Sequence, residues 1–104
     1  MSYYTDDQER ARLIAGLRDL AEFLDQNPQV PAPRYADLLV FPLRGTDAEI
    51  FAEVDVIAEQ IGVTAGQKDT PDKHYIASRY FGPVQYRAVA IPQAARNDRN
   101  EEAK

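Results

Sequence analysis

The segment His74–Ile91, HYIASRYFGPVQYRAVAI, constrains this chain more than any other. Two runs rich in Tyr, Ile, Val and Phe flank the dipeptide Gly82-Pro83, the signature of a two-residue β-hairpin. Gly at the first turn position supplies the positive φ of a type II′ turn, and Pro follows with φ held near about −65°. The turn also sets the register. Phe81 faces Val84, Arg79 faces Tyr86, Ala77 faces Ala88 and Tyr75 faces Ala90, all on one face. The other face carries His74, Ile76, Ser78, Tyr80, Gln85, Arg87, Val89 and Ile91. Ala77, Ala88 and Ala90 let helices approach the first face closely, so it is expected to pack beneath them. Arg79 is the exception there, expected near an edge and stacked on Tyr86 across the ladder.

The segments before the hairpin supply covering material. Thr5-Asp6-Asp7-Gln8 has the form of a capping box with Thr5 as N-cap, and Asp6 and Asp7 suit the positive end of a helix dipole. Leu13, Ile14, Leu17, Leu20, Ala21 and Leu24 recur at three- and four-residue spacing, which predicts an amphipathic helix over 6–26. Gly16 inside it costs roughly 0.8–1 kcal/mol relative to Ala, and so suggests a close approach to another element. Asn27-Pro28 ends the helix, and Pro28, Pro31 and Pro33 predict an extended, polyproline-like connector over 27–36. Pro28-x-x-Pro31 formally matches a groove-binding ligand motif; a stiff spacer is the plainer reading.

Leu38-Leu39-Val40-Phe41 is short and continuously apolar. It reads as a strand covered on both faces, or as one whose second face meets a partner. Pro42 closes it. Thr46 and Glu49 form another capping box, and Ile50, Val54, Ile57, Ala58 and Ile61 predict a helix over 47–61 that stops at Gly62. Its outer face, with Asp47, Glu49, Glu53, Asp55 and Glu59, is acidic and expected to be solvated. Val63-Thr64-Ala65 reads as a short strand, followed by a polar loop from Gly66 to Lys73.

The resulting order, α-β-α-β-β-β, predicts an α+β two-layer sandwich. Two helices would pack on one face of a small, mainly antiparallel sheet of about four strands. Residues 1–92 are expected to form a single domain, with 93–104 as a flexible charged tail.

Several function classes receive no support. The chain of 104 residues has no cysteine, which removes disulfides, thiolate metal sites and cysteine nucleophiles. Its formal net charge of −5 disfavours non-specific attraction to nucleic acid or anionic membranes. MSYYTDDQER is acidic where a secretory leader would be basic and then apolar. No apolar run approaches the ~18 residues of a membrane-spanning helix. A cytoplasmic protein without membrane association is the expectation.

Catalytic and metal signals are sparse. His74 is the single histidine, with Asp72 two residues before it. It reads as a satisfied strand histidine, with general-base and ligand roles as alternatives. Leu43-Arg44-Gly45-Thr46 follows a strand and opens a helix, so its amides could hold an anion, but it lacks a phosphate-loop pattern. Ser2 and Ser78 are the only serines, and neither sits at a strand-to-helix nucleophile elbow. No cofactor, metal site or catalytic set is nominated, and the residues weigh against an enzyme.

The second hairpin face has the composition of an interaction surface: Tyr80, Arg87, His74, Gln85 and Ser78 among Ile76, Val89 and Ile91. Either the tail or connector covers its aliphatic residues, or it meets a protein, as a homodimer or with a heterologous partner. Single-stranded nucleic acid stacking on Tyr80 beside Arg79 and Arg87 is the alternative, and a small enzyme using His74 a further one.

Three stretches carry a resemblance: IAGLRDLAEFL (14–24), the proline connector, and above all YFGPVQYRAVAIP (80–92). Over roughly 10–92 the chain resembles a group of short uncharacterised proteins encoded by actinobacteria, their bacteriophages and integrative elements. The resemblance implies a mobile-element setting and brings no activity or site residues with it. A non-enzymatic protein-interaction module, an accessory factor of a phage or mobile element, is the expected function.

Overall fold

The computed structural model describes residues 4–42 and 45–95, in two compact units divided between Arg34 and Tyr35. The first unit holds helix α1, Asp7–Gln26, and the second holds β1 (Ala36–Val40), α2 (Asp47–Ile61), β2 (Gly66–Gln67), β3 (Tyr75–Phe81) and β4 (Val84–Ala90). The expected element order and α+β class are both present.

In α1 the capping box lies one residue later than Thr5-Gln8. The Glu9 amide donates to Asp6 Oδ1 at 2.8 Å, and the Asp6 amide to Glu9 Oε1 at 3.3 Å. Asp6 and Glu9 satisfy the same pattern with two carboxylates, which are stronger acceptors and better complements to the helix dipole than Thr5 and Gln8. The helix ends where Pro28 requires, and Asn27 Nδ2 caps the Phe23 carbonyl at 2.8 Å. The connector begins differently from its polyproline expectation: the Val30 amide returns to the Asn27 carbonyl, closing a turn. No residue of α1 is buried, so its placement with α2 on one face of the sheet is not confirmed.

In the second unit the hairpin keeps every pair expected of it, from Tyr75 opposite Ala90 to Phe81 opposite Val84. Gly82 takes φ +61°, the left-handed value that the first position of a II′ turn demands. The sheet order is β1-β4-β3-β2, with β4 central, its antiparallel neighbour β3 on one side and β1 parallel to it on the other. β1 starts at Ala36, two residues before the apolar run, because the Ala36 amide is already held by the Pro83 carbonyl at 3.1 Å.

Helix α2 spans the predicted residues, opened by reciprocal Thr46 and Glu49 bonds of 3.2 and 3.0 Å. Gly45, at φ +122°, lies so close to Glu49 that a Cβ there would meet the Glu49 Cβ at 3.1 Å. The helix closes at Gly62, whose left-handed backbone returns its amide to Ala58 and Glu59. Val63 then donates to the Ala58 carbonyl at 2.9 Å. This closure corrects the expected strand Val63–Ala65: the Val63 amide completes the helix end and is not free for a ladder. Pairing starts at Gly66 and Gln67, opposite Ile76 and Tyr75.

The core lies between α2 and the first hairpin face. Ile50 and Val54 are fully buried, with Ile57 and Ala58 beside them, against Ala77, Ala88 and Ala90. Burying each large aliphatic contributes roughly 1.5–3 kcal/mol, and the three alanines leave room for the helix backbone. Phe51 stacks on Tyr75 at 4.7 Å between ring centres, and the Tyr75 hydroxyl donates to Asp55. After β4, Pro92 is buried and the Gln93 amide donates to Asp47 Oδ1 at 2.9 Å. Residues 93–95 are helical, so the start of the expected tail is held, while 96–104 lie outside the described residues.

Candidate interaction site

Helix α2 runs alongside β3, from Asp47 beside Gln93 to Ile61 beside Arg79. Its 15 residues span about 22 Å, close to the ~23 Å of a seven-residue strand. Because α2 begins beyond the end of β4, it runs out before the hairpin does. The last pair, Phe81 and Val84, projects past the helix, 57% and 41% exposed.

Arg79 marks the boundary. Its Nη1 donates to the Ile61 carbonyl at 3.3 Å, and its guanidinium lies 4.9 Å from the centre of the Phe81 ring. The guanidinium thus stacks on Phe81, its neighbour two residues along the same strand face. The last turn of α2 has no basic residue of its own. Arg79 serves its orphan carbonyl and the negative end of its dipole instead, which draws the guanidinium along β3 towards Phe81.

On the other face Tyr80 stands 69% exposed at the same end of the hairpin. Tyr35, 70% exposed, precedes the Ala36–Pro83 hydrogen bond and so lies next to the turn. The turn end thus presents aromatic side chains on both faces of a short, doubly paired ribbon.

The rest of the second face is less open than its composition suggests. Gln85 and Val89 are buried, and His74, Ile76, Ser78, Arg87 and Ile91 are half-buried. Arg87 Nη2 donates to Gln85 Oε1 at 2.6 Å, tying up the cation, while its Nε is buried without a hydrogen-bond partner. Leu39 and Asp37 of β1 lie level with Arg87 and Gln85, and both are exposed. The open parts of this face are accordingly Tyr80 at one side and Leu39 with Asp37 at the other. Arg79, Tyr80 and Arg87 do not converge: Arg79 lies on the opposite face and Arg87 is held by Gln85.

His74 is half-buried, with Nε2 3.4 Å from Asp72 Oδ2. Asp72 accepts a hydrogen bond from the Thr70 hydroxyl, and that bond, ahead of the nearby His74, holds its carboxyl below the usual carboxylate range. The order is Thr–Asp–His. A nucleophilic relay needs the histidine between hydroxyl and carboxylate, so this arrangement does not activate Thr70, and His74 Nε2 is buried without a hydrogen-bond partner. Among the described residues no group of three or more His, Asp or Glu could hold a metal ion. The anion reading of Leu43 to Thr46 rests on Leu43 and Arg44, which lie outside the described residues. No helix among the described residues is long and apolar enough to cross a membrane.

The prominence of Phe81, Val84 and Tyr35 was missed in the sequence. Consecutive aromatics at a turn were a visible signal, but their exposure depends on where α2 stops. Comparison with protein-family models, curated proteins and solved structures finds no match to the chain.

Proposed function

We propose that the chain is a non-enzymatic protein-interaction module that docks through the turn end of the β3–β4 hairpin. One observation carries the reading: Tyr80, Phe81 and Val84 stand exposed on a ribbon whose other end is locked in the core. Tyr, Phe and Arg are the residue types that dominate the energetics of protein interfaces. Here Arg79 is already fixed by Ile61 and Phe81, so little side-chain freedom is lost when a partner closes over the patch. A cytoplasmic accessory role in a phage or mobile element fits the resemblance of residues 10–92 and belongs to the same proposal, as does self-association.

The test is affinity capture from the lysate of the natural host, with nuclease, using the wild type and a Tyr80→Ser/Phe81→Ser pair side by side. Wild type is expected to retain a stoichiometric protein that the double variant loses. Truncating central anchors weakens binding by about 30-fold each, from roughly 2 kcal/mol per hot-spot residue. Equal capture by both proteins removes the hairpin end from contention. Capture that vanishes with nuclease in both transfers the role to nucleic acid.

A further inference from the structure

Helix α1 has no buried residue, yet Leu13, Ile14, Leu17, Leu20 and Phe23 form one stripe, each between 39% and 55% exposed. At about half of each side chain, the stripe amounts to a patch of roughly 400 Å², the size of the largest apolar patch on a typical soluble monomer, which is often functional. We infer that α1 is a self-association helix, pairing antiparallel with α1 of a second copy.

The stripe is complementary to itself. Leu13, Leu17, Leu20 and Leu24 follow the four-three-four spacing of a two-helix seam. In an antiparallel pair related by a two-fold axis, Leu17 meets Leu20 of the other copy and Leu13 meets Leu24. The same axis brings Phe23 of each copy beside Gly16 of the other, where the missing side chain leaves a notch. Around Gly16 no atom lies within 4 Å of the position a Cβ would take, so nothing in the described chain requires a glycine there. The one feature that weakens the helix by itself is the one that receives the largest protrusion of the stripe. A parallel pair would leave Phe23 opposite residues beyond the helix end and Gly16 without a purpose.

Two such stripes bury about 800 Å² in total, below the standard size of specific interfaces and in the range of weak, transient ones. A reversible dimer with a midpoint in the micromolar range is therefore expected. The inference is independent of the hairpin end.

Sedimentation equilibrium should show the mass rising from one chain, 11.7 kDa, towards two as concentration increases. Gly16→Leu fills the notch while replacing glycine by a better helix former. It should raise helix content and weaken dimerisation at least tenfold, an outcome that misfolding cannot mimic. Leu17→Asp should give a monomer. The chain has no cysteine, so orientation can be read by oxidation. A mixture of Leu17→Cys and Leu20→Cys proteins should cross-link as the mixed dimer, with neither linking to itself. A wild type monomeric up to several hundred micromolar, undiminished pairing by Gly16→Leu, or self-linking of Leu17→Cys would each overturn the inference. Loss of the dimer in the Tyr80→Ser/Phe81→Ser protein, with Leu17→Asp still dimeric, would assign self-association to the hairpin instead.

Discussion

The two helices of this protein start alike and end differently. Both open with a reciprocal capping box, and both carry apolar residues at three- and four-residue spacing. α2 buries Ile50, Val54, Ile57 and Ala58, whereas α1 buries nothing. For α2 the second unit supplies the partner. The alanine face of the hairpin offers α2 a shallow surface within helical reach, and Asp47, Asp55 and the Ile61 carbonyl are each bonded to the sheet or its extension. Caps and periodicity specify that a segment is helical and which side is apolar. They do not specify what covers that side.

The sharpest way to break this comparison is to truncate one residue in each stripe. Ile50→Ala should cost about 2–4 kcal/mol, the usual range for emptying a packed aliphatic site. Leu20→Ala in dilute protein should stay within about 0.5 kcal/mol, as at other open surface sites. Urea denaturation at a concentration below that of self-association measures both. Equal losses would mean that the α1 stripe is buried in the folded monomer, and the contrast between the helices would disappear.

A smaller effect separates the caps. Thr46→Ala removes the acceptor for the Glu49 amide and should lower global stability by about 1 kcal/mol, because α2 cannot fray without opening the core. Asp6→Ala removes the equivalent bond in α1. Its loss should register as faster hydrogen exchange in the first turn of α1, with the global midpoint of unfolding unmoved. A global shift of equal size in both variants would place α1 inside the cooperative unit.

Legibility in the sequence followed the range of the interaction. The hairpin register was readable because Gly82-Pro83 fixes it and a strand has a period of two. α2 was readable from end to end because Thr46, Glu49 and Gly62 act within their own turns. One-residue ambiguities failed where two residue sets fit one pattern, as Thr5 with Gln8 and Asp6 with Glu9 do. Val63 was misassigned because β-branched residues favour strands, while its amide was claimed by the helix behind it. The parallel pairing of β1 with β4 has no local signature and was left open. The second hairpin face showed its composition but not the Gln85–Arg87 bond that fills its centre. The exposed turn end depended on the relative lengths of α2 and the hairpin, which no single segment contains.

The smallest effect tests how α2 is fastened to the sheet. The hydrogen bond to Asp55, and after it partial burial, raises the Tyr75 pKa above its ordinary value near 10. A folded-state pKa above the unfolded one favours the protonated phenol in the native protein. The stabilisation is therefore fully present below the ordinary tyrosine pKa and is lost as pH rises through the raised native value. Tyr75→Phe keeps a ring to stack on Phe51 but has no proton to lose. The stability difference between wild type and Tyr75→Phe should be constant from neutral pH to about pH 9. Above pH 10 it should shift steadily in favour of the variant, because only the wild type must deprotonate a group that holds Asp55. Parallel curves throughout would mean that the phenol titrates as freely in the native protein as in the unfolded chain. The fastening of α2 would then rest on the Phe51 stack and the aliphatic core alone, which would bring its attachment closer to the purely apolar contact inferred for α1.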